Sequence, residues 1–432
     1  MSQFDDKSRP QTRRVAFGDL PPVKIIGGGM ITRIQLLPAV YQMQRLGLVG
    51  EIDICALNSS PLAEIKADPA LKQAFPGQDF NAHPDPAKAA PSEAFPDLYK
   101  EVLASAPVRS IAVVAVPDQF HYPVLKEALL HDLNVCVVKP LVLKHSQAEE
   151  IAQLASQRGL VVGVEYHKRF DDRNLLARRD YRAGRLGEFR LGQAQMIEPY
   201  YYRDSNFQNW CTCQNSDTFT YVGCHYVDLV AFITGLKPVA VSVYGIVDKY
   251  PNGNEGYLWT DGRVIWENGA CLNVADAIGY PNAAAGGNYQ GLAMWGQADH
   301  DATLLVHSDQ YRGVKVSYNR PGDDPGDTQY AEPSPDYFKL IDLGGGGLTP
   351  VGYGYRSVEF IIKAGLRVGA ISDLKERRGL IKQYDQEGIM ATPANSSYNE
   401  LVIEAGRKSI LAGGREVAID NQAGTVDFRK YS

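Results

Sequence analysis

Three groups of residues in this chain have the types and spacing to do chemistry together. The first is Ile25-Ile26-Gly27-Gly28-Gly29-Met30-Ile31-Thr32, a glycine-rich turn between an apolar run and a helical pattern. Gly27 permits the tight turn, and Gly29 lets backbone approach a diphosphate at a helix N-terminus. The third position of that fingerprint is Thr32 rather than Gly or Ala. The second is Lys139, where the apolar run 135–138 ends in Lys-Pro. The third is the pair Tyr221 and His225, one helical turn apart and so on one face of a helix. An alcohol can surrender hydride only as its hydroxyl proton leaves, and an imidazole is suited to take that proton near neutral pH.

Cys211, Cys213, Cys224 and His225 invite a zinc reading. Structural zinc sites draw their thiolates from Cys-x(2–4)-Cys pairs, which Cys-Thr-Cys is not, so no metal is expected. Six cysteines in 432 residues do not make a disulfide scaffold. Forty-four Lys and Arg against 50 Asp and Glu leave a net charge of −6, which disfavours a nucleic-acid partner. No apolar run approaches the ~20 residues needed to cross a bilayer, so no membrane is expected. Arg13-Arg14 lacks the apolar stretch of an export signal. The expected location is cytoplasmic.

The elements that must position these groups fall into two textures. Up to residue 168, short β-branched runs (23–26, 52–57, 110–116, 135–138, 160–164) alternate with helical patterns, the mark of βαβ units and a parallel sheet. One such helix carries Leu36, Ala39, Val40 and Met43 on a face, with Pro38 expected to kink it. Residues 61–95 read as a short helix and a long loop. After residue 170, strand-like stretches (189–197, 239–247, 257–267, 302–306) follow without regular helices between them. A helix over 222–233 packs on them, 321–350 reads as loop, and helices at 358–368 and 399–411 close the chain. The fold expected is α/β, an N-terminal Rossmann doubly wound parallel sheet with a C-terminal α+β domain on a largely antiparallel open sheet. The division is 1–22 lead-in, 23–168 dinucleotide-binding domain and 169–432 substrate-binding and oligomerisation domain. An open sheet face points to a homodimer or homotetramer.

Five further segments resemble, in order, those of the Gfo/Idh/MocA oxidoreductases, the glucose–fructose oxidoreductase and inositol dehydrogenase group. Residues 111–117 with Asp118-Gln119-Phe120-His121 resemble its strand-Thr-Pro-Asn-x-x-His segment. Residues 134–140 resemble its Glu-Lys-Pro motif, and 162–170 its domain-joining strand ending in Arg-Phe. Gly223-Cys224-His225-Tyr226-Val227-Asp228-Leu229 is similar to its Gly-x-His-x-x-Asp helix start, and 404–417 to its last helix and strand. Val116 stands for the usual Thr and Val138 for the Glu. Tyr221 stands for the catalytic Asp four residues before the His, replacing a carboxylate with a phenol.

The resemblance implies a nicotinamide dinucleotide, NAD being favoured and NADP left open because Asn58 replaces the ribose-binding acid with no Arg beside it. Its expected contacts are Gly27, Gly29, Met30 and Ile31 of the turn, then Asn58 and Ser59. Val116, Pro117, Asp118 and His121 follow the next strand, and Val138, Lys139 and Glu165 the last two. It implies Lys139 orienting the hydroxyl, His225 as base and Tyr221 as auxiliary donor. His167, Arg169, Tyr202, Trp210 and His225 are expected around a sugar, glycoside or cyclitol substrate. Arg169 reads equally as a structural ion-pair partner. Two alternatives stay open: a redox-assisted glycosidase recycling NAD, and a non-catalytic dinucleotide-binding regulator.

Overall fold

The computed structural model describes residues 20–284, 288–309, 316–319, 328–331, 337–344 and 346–429. Six strands form a parallel sheet: β1 (Val23–Ile26), β2 (Ile52–Cys55), β3 (Asn81–His83), β4 (Ile111–Val114), β5 (Asn134–Val138) and β6 (Val162–Glu165), in the order β3-β2-β1-β4-β5-β6. Val23 pairs with Ile52 on one side and Ile111 on the other, so the strand order reverses at β1/β4. Ligands of such sheets bind in the crevice outside the strand C-termini at that reversal. All four residues of β1, β2, β4 and β6 are buried, as a sheet covered on both faces requires.

The covering helices are unevenly supplied. Helices Leu98–Ala104, His121–Leu130 and His145–Arg158 pack on one face through Leu103, Leu125, Leu129 and Ile151. From the first half of the chain, Leu37–Arg45 is the main helix on the opposite face. The rest of that face is closed by the late helix Tyr353–Gly369, whose Val358, Ile361, Ile362 and Val368 meet Ile25, Ile111 and Val113. That late helix returns because the first sheet is apolar on both faces and must recruit its last cover from far along the chain. Pro38 falls inside a helix that runs on from Met30 to Arg45, directly after a π-helical turn at Thr32–Leu36, the local irregularity that accommodates a residue with no N–H to donate. Residues 61–95 hold the helix Pro69–Ala74 and the strand β3 where a loop was expected.

The second sheet has β7 (Glu188–Pro199), β8 (Pro238–Lys249), β9 (Glu255–Trp266), β10 (Cys271–Tyr280), β11 (Tyr289–Gln297), β12 (Ala302–Asp309), β13 (Val316–Asn319) and β14 (Thr328–Ala331). A small hairpin, β15 (Lys339–Ile341) with β16 (Thr349–Val351), stands apart, and β17 (Val417–Asp420) and β18 (Thr425–Phe428) rejoin the sheet. The order is β14-β13-β12-β11-β7-β10-β9-β8-β17-β18, antiparallel except between β7 and β10. Residues 321–350, expected as loop, thus contain β14, β15 and β16; 321–327, 332–336 and 345 lie outside the described residues. Helices Cys224–Thr234 and Tyr398–Leu411 fill the inner face, packing Val227, Val230, Leu401 and Ala405 on Val241, Val243, Leu272 and Leu292.

Candidate functional site

The glycine turn leaves β1 with a hydrogen bond from Gly27 N–H to the Cys55 carbonyl at 2.8 Å. Gly27 has φ +118°, and a Cβ there would sit 2.0 Å from the Ala115 carbonyl oxygen. Gly29 faces open space, with no atom within 4 Å of where its Cβ would be. That clearance, at the start of a helix and beside the β1/β4 crevice, fits a diphosphate held by backbone N–H groups. The Thr32 hydroxyl donates to Gly27 O at 2.7 Å, so the departure at the third fingerprint position ties the turn shut with a side chain. Met30 leaves the turn and packs on an aromatic cluster of the second sheet.

Beyond β2, Asn58 Oδ1 accepts from Ser60 N–H and its amide remains at the surface of the crevice. Ser59 is different. Its buried hydroxyl donates to Ala89 O and Ala90 O, which takes it away from a ribose. After β4, Val116 and Pro117 line the turn. Asp118 is buried and accepts from Ser216 of the second domain at 3.0 Å, so its carboxyl ties the turn after β4 to that domain. Burial lifts that carboxyl above its ordinary range. His121 spans Val116 O at 2.9 Å and Pro140 O at 2.6 Å, locking together the turns that follow β4 and β5.

Lys139 leaves β5 and reaches the helix of the second domain. Its ammonium bonds the Tyr221 carbonyl and stands 3.5 Å from the Tyr221 ring centroid, a cation–π contact. Tyr221 belongs to a π-helical turn, Phe219–Gly223, capped by Asp217, whose carboxylate accepts from Thr220 N–H at 2.7 Å. The turn widens where Gly223 passes Asp276: a Cβ on Gly223 would be 2.6 Å from Asp276 Oδ2. Widened turns of this kind recur at functional sites. The helix Cys224–Thr234 then begins one residue before His225.

His225 is 2% exposed and its Nδ1 has no hydrogen-bond partner among the described residues. Its ring lies 4.6 Å from that of His167, whose Nε2 is likewise buried and unpartnered. His167 Nδ1 faces Glu165 at 3.2 Å, and Tyr337 packs on the ring's flank at 4.8 Å. Burial first, then the charges of His167, Lys139 and Lys168, hold His225 well below the ordinary imidazole range. It is therefore neutral at neutral pH. Burial, with Glu198 and Asp118 nearby, lifts the Tyr221 phenol well above its ordinary value, so Tyr221 keeps its proton.

Several expected contact residues also have protein partners. Glu165 accepts from Gln35 at 2.9 Å and Ser357 at 2.6 Å and faces His167, so it braces the site from behind. Arg169 makes a bidentate ion pair with Asp228 at 2.7 and 2.6 Å, both side chains buried, as a structural ion-pair partner would. Tyr202 and Trp210 do approach, through a ring that sequence reasoning missed: Phe207 stacks on Tyr202 at 5.4 Å and meets Trp210 at 5.0 Å and Tyr221 at 4.8 Å. Also missed was a buried chain in which Lys168 Nζ donates to Gln290 at 2.8 Å and Gln290 to Glu198 at 2.9 Å. Lys168 stands beside the more conspicuous Arg169, and a Gln 122 residues away carries no local signal. No group of three or more His, Cys, Asp and Glu is placed to hold a metal among the described residues.

Residues 22–166 match the family described as oxidoreductases with an NAD-binding Rossmann fold, Gfo/Idh/MocA. Over 112 residues the chain is 34% identical to an uncharacterized oxidoreductase of Escherichia coli, YhhX, covering 25% of this chain and 32% of that one. Over 176 residues it is 24% identical to an uncharacterized oxidoreductase of Bacillus subtilis, YfiI, covering 35% and 44%. These stretches span less than half of either relative. An inositol dehydrogenase homolog from Azotobacter vinelandii, solved with NADH and myo-inositol, superposes with TM-score 0.64 at 18% identity over 93% of this chain and 98% of that one. A myo-inositol 2-dehydrogenase from Lactobacillus plantarum superposes with TM-score 0.58 at 17% identity over 93% and 100%. At these identities the likeness is one of fold, and it extends across both sheets.

Proposed function

We propose, from the match of residues 22–166 to the Gfo/Idh/MocA oxidoreductases with their NAD-binding Rossmann fold, that the protein is a dehydrogenase for a secondary hydroxyl of a sugar, glycoside or cyclitol. The observation that carries this reading is the approach of Lys139, from the end of β5, to the helical turn that holds Tyr221 and His225.

Bound NAD supplies the hydride acceptor when alcohol is oxidised and the donor when ketone is reduced. The chain's own groups handle everything else. Lys139 orients the hydroxyl and steadies negative charge as it grows on oxygen. His225, neutral because it is buried among cations, accepts the hydroxyl proton. Tyr221 donates a hydrogen bond and fixes the alcohol's position between them. Tyr202 and Trp210, packed on the buried Phe207, are the rings against which a polyol's C–H face can stack.

The test is reduction of NAD+ by a panel of cyclitols, aldoses and aryl glycosides, followed at the nicotinamide absorbance. NADH accumulating with a polyol supports the proposal. Aglycone release from an aryl glycoside with no net NADH would replace it with the oxidation–elimination–reduction reading.

A further inference from the structure

A half-open groove of about 320 Å³, none of whose lining residues belongs to the glycine turn, runs between helices Asp172–Arg182, Cys224–Thr234 and Tyr398–Leu411. Arg169, Arg178, Arg182 and Lys237 line it, and Asp385 is the one carboxylate on its lining among the described residues. Asp385 is occupied, accepting the Thr392 hydroxyl at 2.6 Å.

The bland account of these cations is helix capping, and part of it is right. Arg182 donates to the carbonyls of Phe232 and Ile233 at the end of one helix, and Arg178 to that of Glu387 at the end of another. Capping leaves donors over. Arg178 Nε is buried with no partner, and neither Arg178 nor Arg182 has a carboxylate within ion-pair distance among the described residues. Lys237 is exposed, and its ammonium makes no bond among them. The Phe232 ring is flanked by the guanidiniums of Arg178 at 4.9 Å and Arg169 at 5.3 Å, which crowds like charges on one apolar plate. Burial first, then neighbouring guanidiniums (Arg182 and Arg169 on Arg178, Arg169 on Arg182), push both Arg178 and Arg182 below the ordinary guanidinium range, a strain that an anion relieves. Arg169 alone is neutralised, by Asp228. Opposite the cations, the helix Tyr398–Leu411 begins at Ser397 with no side chain capping its first N–H groups.

We propose that this groove is a second ligand site, separate from the dinucleotide crevice, for a small multivalent oxyanion: a phosphate monoester or a polycarboxylate. Its volume lies at the small end of ligand pockets, and guanidinium forks match carboxylate and phosphate oxygens in geometry. Because Asp228 lies one turn beyond His225 and is held by Arg169, an occupant would press on the helix that carries the proposed base.

The NAD-saturated protein, its diphosphate site filled, is titrated at low ionic strength with citrate and separately with inorganic phosphate, by calorimetry. Saturable binding of either supports the proposal, and which of the two binds tighter assigns the ligand to polycarboxylates or phosphates. Arg178→Gln is expected to weaken it about tenfold or more, as loss of a charge-assisted fork should. Lys237→Ala, whose amine caps nothing, is expected to weaken it about two- to fivefold with unchanged melting temperature, and it carries the test alone if Arg178→Gln fails to fold. NAD affinity should not change in either. Binding that does not saturate, or that is equal in wild type and Lys237→Ala, is an adventitious ion only and overturns the proposal.

Discussion

At the scale of single residues, the proposed chemistry depends on an imidazole kept neutral and an ammonium brought close to it. Lys139→Met removes the group that steadies the alkoxide and should lower kcat by about 10²–10³-fold, the usual cost of such a donor, with NAD affinity preserved. His225→Gln should lose a similar factor in oxidation, of order 10²–10⁴. The pH dependence has a definite sign. The active form of His225 is the neutral one, and its acidity is shifted downward. The acid limb of kcat/KM for oxidation should therefore fall below the ordinary histidine value of about 6.5. Replacing His167 by Asn removes one of the charges that depress His225, so the limb should move to higher pH. Histidine Cε1 resonances followed by NMR titration give the same answer without turnover, and an unmoved His225 would refute the coupling. Tyr221→Phe keeps the ring beneath Lys139 and loses only the donor; a rise in KM larger than the fall in kcat is expected.

At the scale of elements, two glycines only two residues apart should behave in opposite ways. Gly27 sits at φ +118° against the Ala115 carbonyl, so Gly27→Ala strains the β1 turn and should cost both melting temperature and cofactor affinity. Gly29 meets nothing, so Gly29→Ala should fold normally and weaken NAD by about tenfold, a loss of ~1.4 kcal/mol, purely by filling the diphosphate's space. Equilibrium binding and thermal melts on the two variants separate these outcomes. The Arg169–Asp228 pair belongs to the same scale, since it joins the chain leaving β6 to the helix of His225. Arg169→Met strands a buried carboxylate and should destabilise the protein by about 3–5 kcal/mol, while the double change with Asp228→Leu should restore most of it.

At the scale of the whole molecule, the ten-stranded sheet buries one face under helices and leaves the other bare. Leu191, Tyr244, Ile246 and Tyr289 are exposed on it, among Gln193, Gln195, Asp261 and Arg263. A face of that size with scattered aromatic and aliphatic residues is best satisfied by a second copy of the chain. Native mass spectrometry should report a dimer or tetramer carrying one NAD per chain. A monomer at micromolar concentration would assign the bare face to solvent alone.

What the sequence by itself determined follows from short-range physics. The glycine turn, the apolar strands on both sides of it, Lys139 at a strand end and the one-turn spacing of Tyr221 and His225 are set by neighbours within a few residues. Periodicity and turn chemistry display such features directly. The tertiary structure decided the rest, because buried polar groups choose partners by distance in space and not in the chain. Ser59, Asp118, Glu165 and Arg169, expected as cofactor or substrate contacts, each also hydrogen-bond a residue at least 30 positions away, which no local pattern displays. The helix Tyr353–Gly369 covers the first sheet for the same reason. An apolar face must be closed by something, and nothing local tells the chain which segment will return to do it.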